Sequence, residues 1–482
     1  MYRARGILGR LYFIISVFFV QIAFGQQDYQ KHIQNFLENN FAYSHVGLVV
    51  QSLPDNKILY QQNANKLFVP ASSLKLFTLI SSLEELTSKF KFKTSVKWDP
   101  KTFKHNKLDG NIGILFTGDP SLTQQNLERL VIAIKKTGIN SIEGNLILDD
   151  TLFTDLHSDG ISFDDVIWGY GASTGAIIIA ENKIPITINP INTLGQSVEF
   201  FIDNKDKELY PLNVNSQVIA VTKQQSENDC GLQINMDEKN QSFFSGCVQI
   251  DPTIQHLDLA LSSPKKYLQD LLTLYLEKHN INLKGQIVFN KVPKEFLNLE
   301  VHESLPLLEL LKKMIQESDN IYADSIGKTI GAKLYGEGSF KTASKAITNI
   351  LQKKFSINTS TLNIVDASGL SSYNVITPNH IIRLLQVTHN DKDLFENVFK
   401  VLPKPGMRGT LKNRLTASDL RTKVLAKTGT LKNSSSLAGY IKTKTGRQLA
   451  VVFIVNNLVQ PKSQIKQLED ELCELLINYD GN

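Results

Sequence analysis

Apolar and polar positions along the chain follow three successive textures. In the first, Asp28–Asn39 reads as a helix, and His45–Ser52 and Lys57–Gln61 as strands about a turn at Pro54-Asp55-Asn56. Ser72–Leu86 then carries apolar residues at 74, 77, 80, 83 and 86, the spacing of one helix face. Pro70 stands just ahead of it, where a proline opens a helix without removing a needed donor. From about 92 to 299 short alternating segments take over: Phe92–Val96, Asn111–Phe116, Ser141–Leu148, Ile184–Ile188 and Ser197–Ile202, parted by breakers such as Gly118-Asp119-Pro120. Period-two alternation predicts strands, and Pro185, with no N–H for a neighbour, predicts an edge strand. From about 303 helices return at Glu303–Gln316, Tyr322–Tyr335 and Ser344–Lys354. The chain closes on adjacent strands, Ser435–Lys442 and Gln448–Val455, and a helix from about Ser463 to Ile477. An opening hairpin and closing strands of like texture around a β-rich block predict an α+β domain split by an insertion. Residues 26–92 and 300–482 form the split unit, and 93–299 the β-rich insertion, in two subdomains.

Composition narrows this picture. A chain of 482 residues exceeds one ordinary core, and 42% hydrophobic with 21% charged residues excludes a disordered or multi-span membrane protein. The +5 balance is 52 basic against 47 acidic residues, and Arg3, Arg5 and Arg10 lie at the very start. The remainder is close to neutral, which excludes a nucleic-acid footprint. Behind those arginines, Leu11–Phe24 is apolar and Ala23-Phe24-Gly25 ends in small residues. This is the pattern of a secretory signal peptide, residues 1–25, cut after Gly25. The apolar run is shorter than the ~20 residues a membrane span needs.

Cysteine usage agrees with export. Cys230 and Cys247 flank Gly231–Met236 and Ser242–Ile250, which read as a hairpin about Asp237-Glu238-Lys239-Asn240. Facing cysteines there can pair in an oxidising compartment. Cys473 falls on an apolar helical stripe and reads as a buried thiol. Nine scattered histidines, without HExxH or CxxC, point to no metal site, and no cofactor is expected.

Candidate chemistry lies in three short motifs. A serine becomes a nucleophile when a base stands beside it, and a lysine three residues on along a helix supplies one. Ser72-Ser73-Leu74-Lys75 has that form. The helix N-terminus favours negative charge on the Ser72 oxygen and helps lower the pKa of Lys75. The spacing recurs at Ser88/Lys91, Ser262/Lys265, Ser263/Lys266, Ser325/Lys328 and Ser463/Lys466, so spacing alone selects nothing. Ser318-Asp319-Asn320 falls between two predicted helices, where a short loop aims side chains into a cleft. All three residue types are also ordinary helix caps, and Ser-x-Asn recurs at Ser226/Asn228, Ser356/Asn358 and Ser372/Asn374.

The third motif, Lys427-Thr428-Gly429, lies in strand-like sequence between Val424-Leu425-Ala426 and Thr430-Leu431. Of its two other copies, Lys136-Thr137-Gly138 ends a helical stretch, where glycine is routine. Lys444-Thr445-Gly446 reads as a hairpin turn. Only the copy at 427 presents Lys and Thr from a strand edge, with a glycine that permits close approach of a substrate. What is specific is the order: nucleophile helix, loop between helices, edge strand. That combination serves acyl transfer in penicillin-binding proteins and class A β-lactamases.

Longer segments carry a closer likeness. They are Val69–Phe77 (VPASSLKLF), Gly118-Asp119-Pro120-Ser121-Leu122, Ile142–Phe153 (IEGNLILDDTLF), Tyr170-Gly171-Ala172 and Glu181-Asn182. Ser318–Ala323 (SDNIYA), Asp366–Leu370 (DASGL), Gly409-Thr410-Leu411 and Ala426–Leu431 (AKTGTL) complete the series. In that order they resemble the class C, type 4 penicillin-binding proteins, a family of D-alanyl-D-alanine carboxypeptidases and endopeptidases. The resemblance implies a penicillin-recognising, transpeptidase-like domain, a five-stranded antiparallel sheet flanked by helices and interrupted by a large insertion.

By the same resemblance Ser72 would attack the carbonyl between two D-alanines of a peptidoglycan stem peptide, and Lys75 would accept its proton. Ser318 and Lys427 would relay a proton to the leaving amine, and Asn320 would bond the peptide backbone. Lys427 and Thr428 would hold the terminal carboxylate beside Gly429. Backbone N–H groups of Ser72 and Thr430 would form the oxyanion hole. β-Lactams would be covalent inhibitors, and the family's distribution implies the periplasm. The family often carries Arg after SGLS; here Ser368-Gly369-Leu370-Ser371 is followed by Ser372. Phe163-Asp164-Asp165 still resembles the family's acidic contact to the stem-peptide side chain, through Asp165.

Three readings compete. Gly171-Ala172-Ser173-Thr174-Gly175 is G-x-S-x-G, the nucleophile motif of α/β-hydrolases. There it joins a strand to a helix, whereas Ala176–Ile179 reads as a strand and α/β alternation is missing. A β-lactamase shares the three motifs, but class A enzymes deacylate with a further Glu, and none of comparable setting follows Asn320. A non-catalytic wall-binding protein of the same fold would need neither nucleophile nor base. The sequence leaves the oligomeric state open.

Overall fold

A computed structural model describes residues 29–53, 55–202, 214–228 and 230–479; the expected signal peptide, 1–25, lies outside them. The central sheet has five antiparallel strands in the order Ile58–Gln62, His45–Ser52, Gln448–Asn456, Ser434–Lys442, Val424–Thr430. Its middle strand reads as a continuous apolar run because both faces are buried. Ala450, Val452 and Ile454 pack against Phe77, Ile80, Leu311, Ile326 and Leu385 of the helices on one side. Leu449, Val451, Phe453 and Val455, on the alternate face, pack against Ile33, Leu37, Ile465 and Leu472 on the other. Helix 29–41 and Lys462–Ile477 make that second layer.

On the first side lie Lys75–Leu86, Leu307–Gln316, Asn320–Tyr335, Phe340–Phe355 and Pro378–Asn390. The predicted Ser72–Leu86 helix begins as one 3-10 turn, Ala71–Leu74, before the α-helix starts at Lys75. Asn320–Tyr335 is capped by Asp319, whose Oδ1 accepts from the N–H of Tyr322, and ends at Gly336 in the left-handed conformation.

Between Lys93 and Glu303 the chain forms separate sheets. The largest runs Ile287–Phe289, Leu146–Asp149, Ile112–Leu115, Lys93–Trp98, Leu297–Glu303. Its last two strands pair antiparallel with Lys93 opposite Glu303, so the chain leaves and re-enters side by side. Leu297–Glu303 runs across the expected 299/300 division. Helices Gln124–Lys136 and Pro264–Lys278 pack into the apolar cluster that these sheets share.

Other details depart from the pattern-based reading. Ser141–Leu148 divides into Ser141–Ile142 and Leu146–Asp149, because Gly144 and Asn145 turn the chain. Lys183–Ile188 is the centre of its three-stranded sheet, not an edge. Phe200–Ile202 pairs with Ile188 to Ile186 on one side, and Pro185 pairs with Asp258 on the other. Ala176–Ile179 is buried but not a strand; it is a core-filling irregular segment. Cys230 and Cys247 are joined by a disulfide with their Cα atoms 5.8 Å apart, beside the hairpin of Gln233–Met236 and Ser242–Ser245. Cys473 is a buried free thiol, and burial pushes its pKa up. Among the described residues no helix is long and apolar enough to cross a membrane.

Candidate active site

The three motifs meet at one cavity of about 480 Å³, whose wall includes Ser72, Ser318, Asn320, Thr430, Asp164 and Asp165. Ser72 is partly exposed to it from the 3-10 turn, whereas Lys75 is fully buried beneath. Lys75 Nζ lies 3.0 Å from Ser72 Oγ, 2.6 Å from Asn320 Oδ1 and 2.7 Å from the carbonyl oxygen of Ser368. Its pKa falls to about 8 because burial disfavours the ammonium, against the opposing pull of Asp324, Asp366 and Asp319. An amine neutral near that pH and within hydrogen-bond reach of a serine oxygen can take its proton.

Ser318 Oγ accepts a hydrogen bond from Lys427 Nζ at 2.8 Å. Lys427 is fully buried, its second contact being the carbonyl of Thr428 at 2.6 Å. Burial, and then the charge of Lys75, hold the Lys427 ammonium well below the ordinary lysine pKa. Thr428 and Gly429 stand behind the wall. The Thr428 hydroxyl donates to Thr410 Oγ1 at 2.7 Å, so Thr430 is the hydroxyl of this strand that faces the cavity.

Gly429 has a different reason from the one expected. A Cβ there would lie 2.7 Å from the Ser72 nitrogen and 2.4 Å from Ser436 Oγ. The glycine admits the backbone of Ser72, rather than a substrate, against the strand. Backbone conformation is unusual nearby: Ala71, directly before Ser72, has φ +48°, and Ser318 has φ +63°. Left-handed non-glycine residues each cost on the order of 1–3 kcal/mol and cluster at functional sites.

At the other end of the cavity, Tyr170 Oη donates to Asp165 Oδ1 at 2.8 Å, leaving a carboxylate facing inward. Asn320 Nδ2 donates to the Tyr170 carbonyl at 2.8 Å. Asp319 is buried and meets Lys183 Nζ at 2.6 Å. Burial opposes its charge, but Lys183 more than offsets this and holds the carboxyl below its usual range. Lys183 was not singled out from the sequence, and Tyr170 and Ser368 entered it only within segments of family likeness, without a role. Asp366 explains the last: its carboxylate accepts from the N–H groups of Ser368 (3.1 Å), Gly369 (2.6 Å) and Ser371 (2.6 Å). That folds DASGL so that the Ser368 carbonyl faces Lys75. The Asp366–Leu370 string (DASGL), quoted for its family likeness, was the available signal. Ser372 donates to the Gly160 carbonyl at 3.0 Å.

The rival serine is elsewhere. Ser173 is buried, off the cavity wall, and its Oγ has no hydrogen-bond partner among the described residues. Among the described residues no group of three or more His, Cys, Asp or Glu is placed to hold a metal ion.

Comparison with known proteins agrees with this geometry. A sequence model of the D-Ala-D-Ala carboxypeptidase 3 (S13) family matches residues 29–479. The D-alanyl-D-alanine carboxypeptidase DacB of Haemophilus influenzae is 28% identical over 449 residues, 92% of this chain and 91% of the relative. A D-alanyl-D-alanine carboxypeptidase of an Actinomadura species is 25% identical over 448 residues, 90% and 82% of the two chains. Among solved structures, penicillin binding protein 4 (dacB) from Haemophilus influenzae superposes with a TM-score of 0.83 at 27% identity, covering 92% of this chain and 99% of that one. The same protein complexed with a β-lactam gives a TM-score of 0.78 at 26% identity, with equal coverage.

Proposed function

The chain belongs to the D-Ala-D-Ala carboxypeptidase (S13) family and is a serine-type D-Ala-D-Ala carboxypeptidase; from that premise we propose that Ser72 is its nucleophile and Lys75 the base. The observation that carries this assignment is the 3.0 Å approach of Lys75 Nζ to Ser72 Oγ at a cavity whose wall also holds Ser318, itself bonded to Lys427.

A stem peptide enters with its terminal carboxylate toward the Lys427 strand. There the buried lysine supplies charge and Thr430 a hydroxyl; a carboxylate arriving beside Lys427 favours its protonated form. Asn320 bonds the peptide backbone. Ser72 Oγ attacks the carbonyl carbon of the penultimate D-alanine as Lys75 takes the hydroxyl proton. The resulting oxyanion is held by the N–H groups of Ser72 and Thr430, each donor contributing about 3–4 kcal/mol in comparable sites. Collapse breaks the peptide bond as the proton held by Lys75 is relayed through Ser318 and Lys427 to the leaving amine of the terminal D-alanine, which returns Lys75 to its neutral form. Water then adds to the acyl-serine, giving a proton to Lys75, and Lys75 returns it to Ser72 Oγ as the ester bond breaks and the shortened peptide leaves. Asp165, oriented by Tyr170, takes the amino end of the stem-peptide side chain. Ser372 offers only a neutral hydroxyl where many relatives place Arg, so recognition of that side chain leans on Asp165.

β-Lactams acylate the same Ser72. We read residues 26–92 and 300–482 as the catalytic unit and 93–299 as its insertion, and the leader 1–25 as directing export to the periplasm; the Cys230–Cys247 bridge supports an oxidising compartment.

The test is fluorescent penicillin labelling of the mature protein beside Ser72→Ala, followed over hours, with release of D-alanine from a wall pentapeptide measured in parallel. Stable label and D-alanine release that both require Ser72 are expected. Rapid loss of label with antibiotic turnover would make it a β-lactamase. Absence of label on folded protein would leave a wall-binding protein.

A further inference from the structure

The inserted region reaches into the loop that carries Ser318 and Asn320. Between them Asp319 is engaged twice: Oδ1 caps the following helix at Tyr322, and Oδ2 meets Lys183 Nζ at 2.6 Å. Lys183 opens an inserted strand, and its ammonium is held on its other side by Glu181 at 2.8 Å. Glu181 also pairs with Lys313 of the helix Leu307–Gln316. The Lys183 and Asp319 side chains are only 16% and 6% exposed, so little water screens the pair.

The turn that presents Lys183 is fixed. Ala180, Glu181 and Asn182 have φ of +49°, +59° and +50°. Asn182 ties them down, donating to the carbonyls of Ser173 and Ile177 and accepting from the N–H of Ile179. Opposite it stands a strained acceptor. Ser318, next to Asp319, has φ +63°, a conformation serine does not adopt unaided, and this is the conformation in which its Oγ receives the Lys427 bond.

We propose that Lys183 is a positioning residue for acyl transfer: its ion pair with Asp319 holds Ser318 in the left-handed conformation that reaches Lys427. This rests on the catalytic reading of Ser318 above. Lys183 does not line the cavity that holds Ser72; it lines an adjoining one with Ser318, Asp319 and Asn320, and its bond to that loop is the one to Asp319. The inserted region therefore completes the catalytic apparatus and is more than a platform for substrate.

The test compares Lys183→Met, Lys183→Arg, the double variant Lys183→Met/Asp319→Asn and Ser318→Ala. Rates of acylation by fluorescent penicillin, kcat and KM on an acylated D-Ala-D-Ala peptide, and Tm are measured for each. Because misplacement by about 1 Å costs up to ~10²-fold, Lys183→Met is expected to lower acylation and kcat at least roughly tenfold. The loss should be alike for penicillin and peptide, with KM changed less than about threefold, and Lys183→Arg should recover most of the rate. Asn still caps a helix, so the double variant, freed of an unpaired buried carboxylate, should regain Tm without regaining acylation. The inference is overturned if Lys183→Met acylates within about threefold of wild type, or if the double variant recovers rate together with Tm. If Ser318→Ala acylates normally, the reading of Ser318 falls and this one with it. If Ser318→Ala is dead while Lys183→Met is fast, only the positioning role falls.

Discussion

Two serine–lysine pairs of identical spacing sit on packed helices, and only one lies at the catalytic cavity. Lys75 and Lys328 are both fully buried, and burial draws both down to a pKa of about 8. Their serines differ. Ser72 is partly exposed on the cavity wall, with Lys75 Nζ at 3.0 Å. Ser325 is fully buried and donates its proton to the carbonyl of Gly118. Lys328 donates to the carbonyls of Asp155 (2.5 Å) and Thr174 (2.7 Å) and lies over the Phe340 ring, 3.9 Å from its centroid. A depressed pKa and the right spacing are thus shared by Lys75, the proposed base, and by Lys328, a structural tie. What separates them is whether the serine faces open space and whether the amine has a serine oxygen among its partners.

The largest contrast is at the serines. Ser72→Ala should lower acylation by fluorescent penicillin by at least about 10³-fold. Ser325→Ala and Ser173→Ala should leave the folded fraction within about threefold of wild type, since neither oxygen reaches substrate. Labelling by Ser72→Ala, or loss of label in Ser173→Ala, would invert the comparison.

The lysines come next. Lys75→Met should slow acylation of the folded protein by roughly 10²–10⁴-fold, the range of a lost general base, and should also lower stability, since Asn320 Oδ1 and the Ser368 carbonyl lose their donor. Lys328→Met should cost stability alone. Two buried carbonyls lose their donor, each worth about 1–3 kcal/mol, so the denaturation midpoint should drop while the remaining folded protein labels normally. Stopped-flow acylation together with urea titration separates the two outcomes. Gly429→Ala belongs between them, because its Cβ would press within 2.7 Å of the Ser72 nitrogen. It should reduce acylation about tenfold or more by displacing one proposed oxyanion donor, and lower the denaturation midpoint as well, because overpacking against backbone costs about 1–3 kcal/mol.

These contrasts mark what the sequence made legible. The split sheet was readable because a strand buried on both faces, such as Gln448–Asn456, is an unbroken apolar run, and because its partners read alike at both chain ends. The Ser72, Ser318 and Lys427 motifs were readable as an ordered set, but the choice between Lys75 and Lys328 depends on which side of a helix meets a cavity. Nor was Gly429's true neighbour readable: Ser72 is brought to it by folding. The Lys183–Asp319 pair spans 136 residues of sequence and has no local signature. Pro185 misled because a missing N–H removes one ladder bond on one side and does not bar the strand from the middle of its sheet.

The finest distinction concerns Asp324, which stands between the two lysines on the helix of Asn320 and Lys328. It is buried and accepts from the N–H of Ala367 at 2.9 Å. Burial, and then Asp366, push its carboxyl up to about 8, against the pull of Lys75 and Lys328. The charged groups facing Lys75 are therefore Asp324, Asp366, Asp319 and Lys427. Only neutral Lys75 can take the Ser72 proton, so acylation should rise with pH through about 8. An ionised Asp324 favours the ammonium form of Lys75 and delays that rise. Asp324→Asn keeps an oxygen for the Ala367 N–H but removes the charge, so Lys75 should lose its proton earlier and the acid limb should move to lower pH. The plateau at high pH should change little. Lys328, which shares the same carboxylate, gives the control: Asp324→Asn should weaken its tie and lower the denaturation midpoint slightly, but that change cannot move a pH limb. An acid limb that stays in place, or moves up, would mean that Lys75 is set by burial alone and that Asp324 serves only the loop at Ala367.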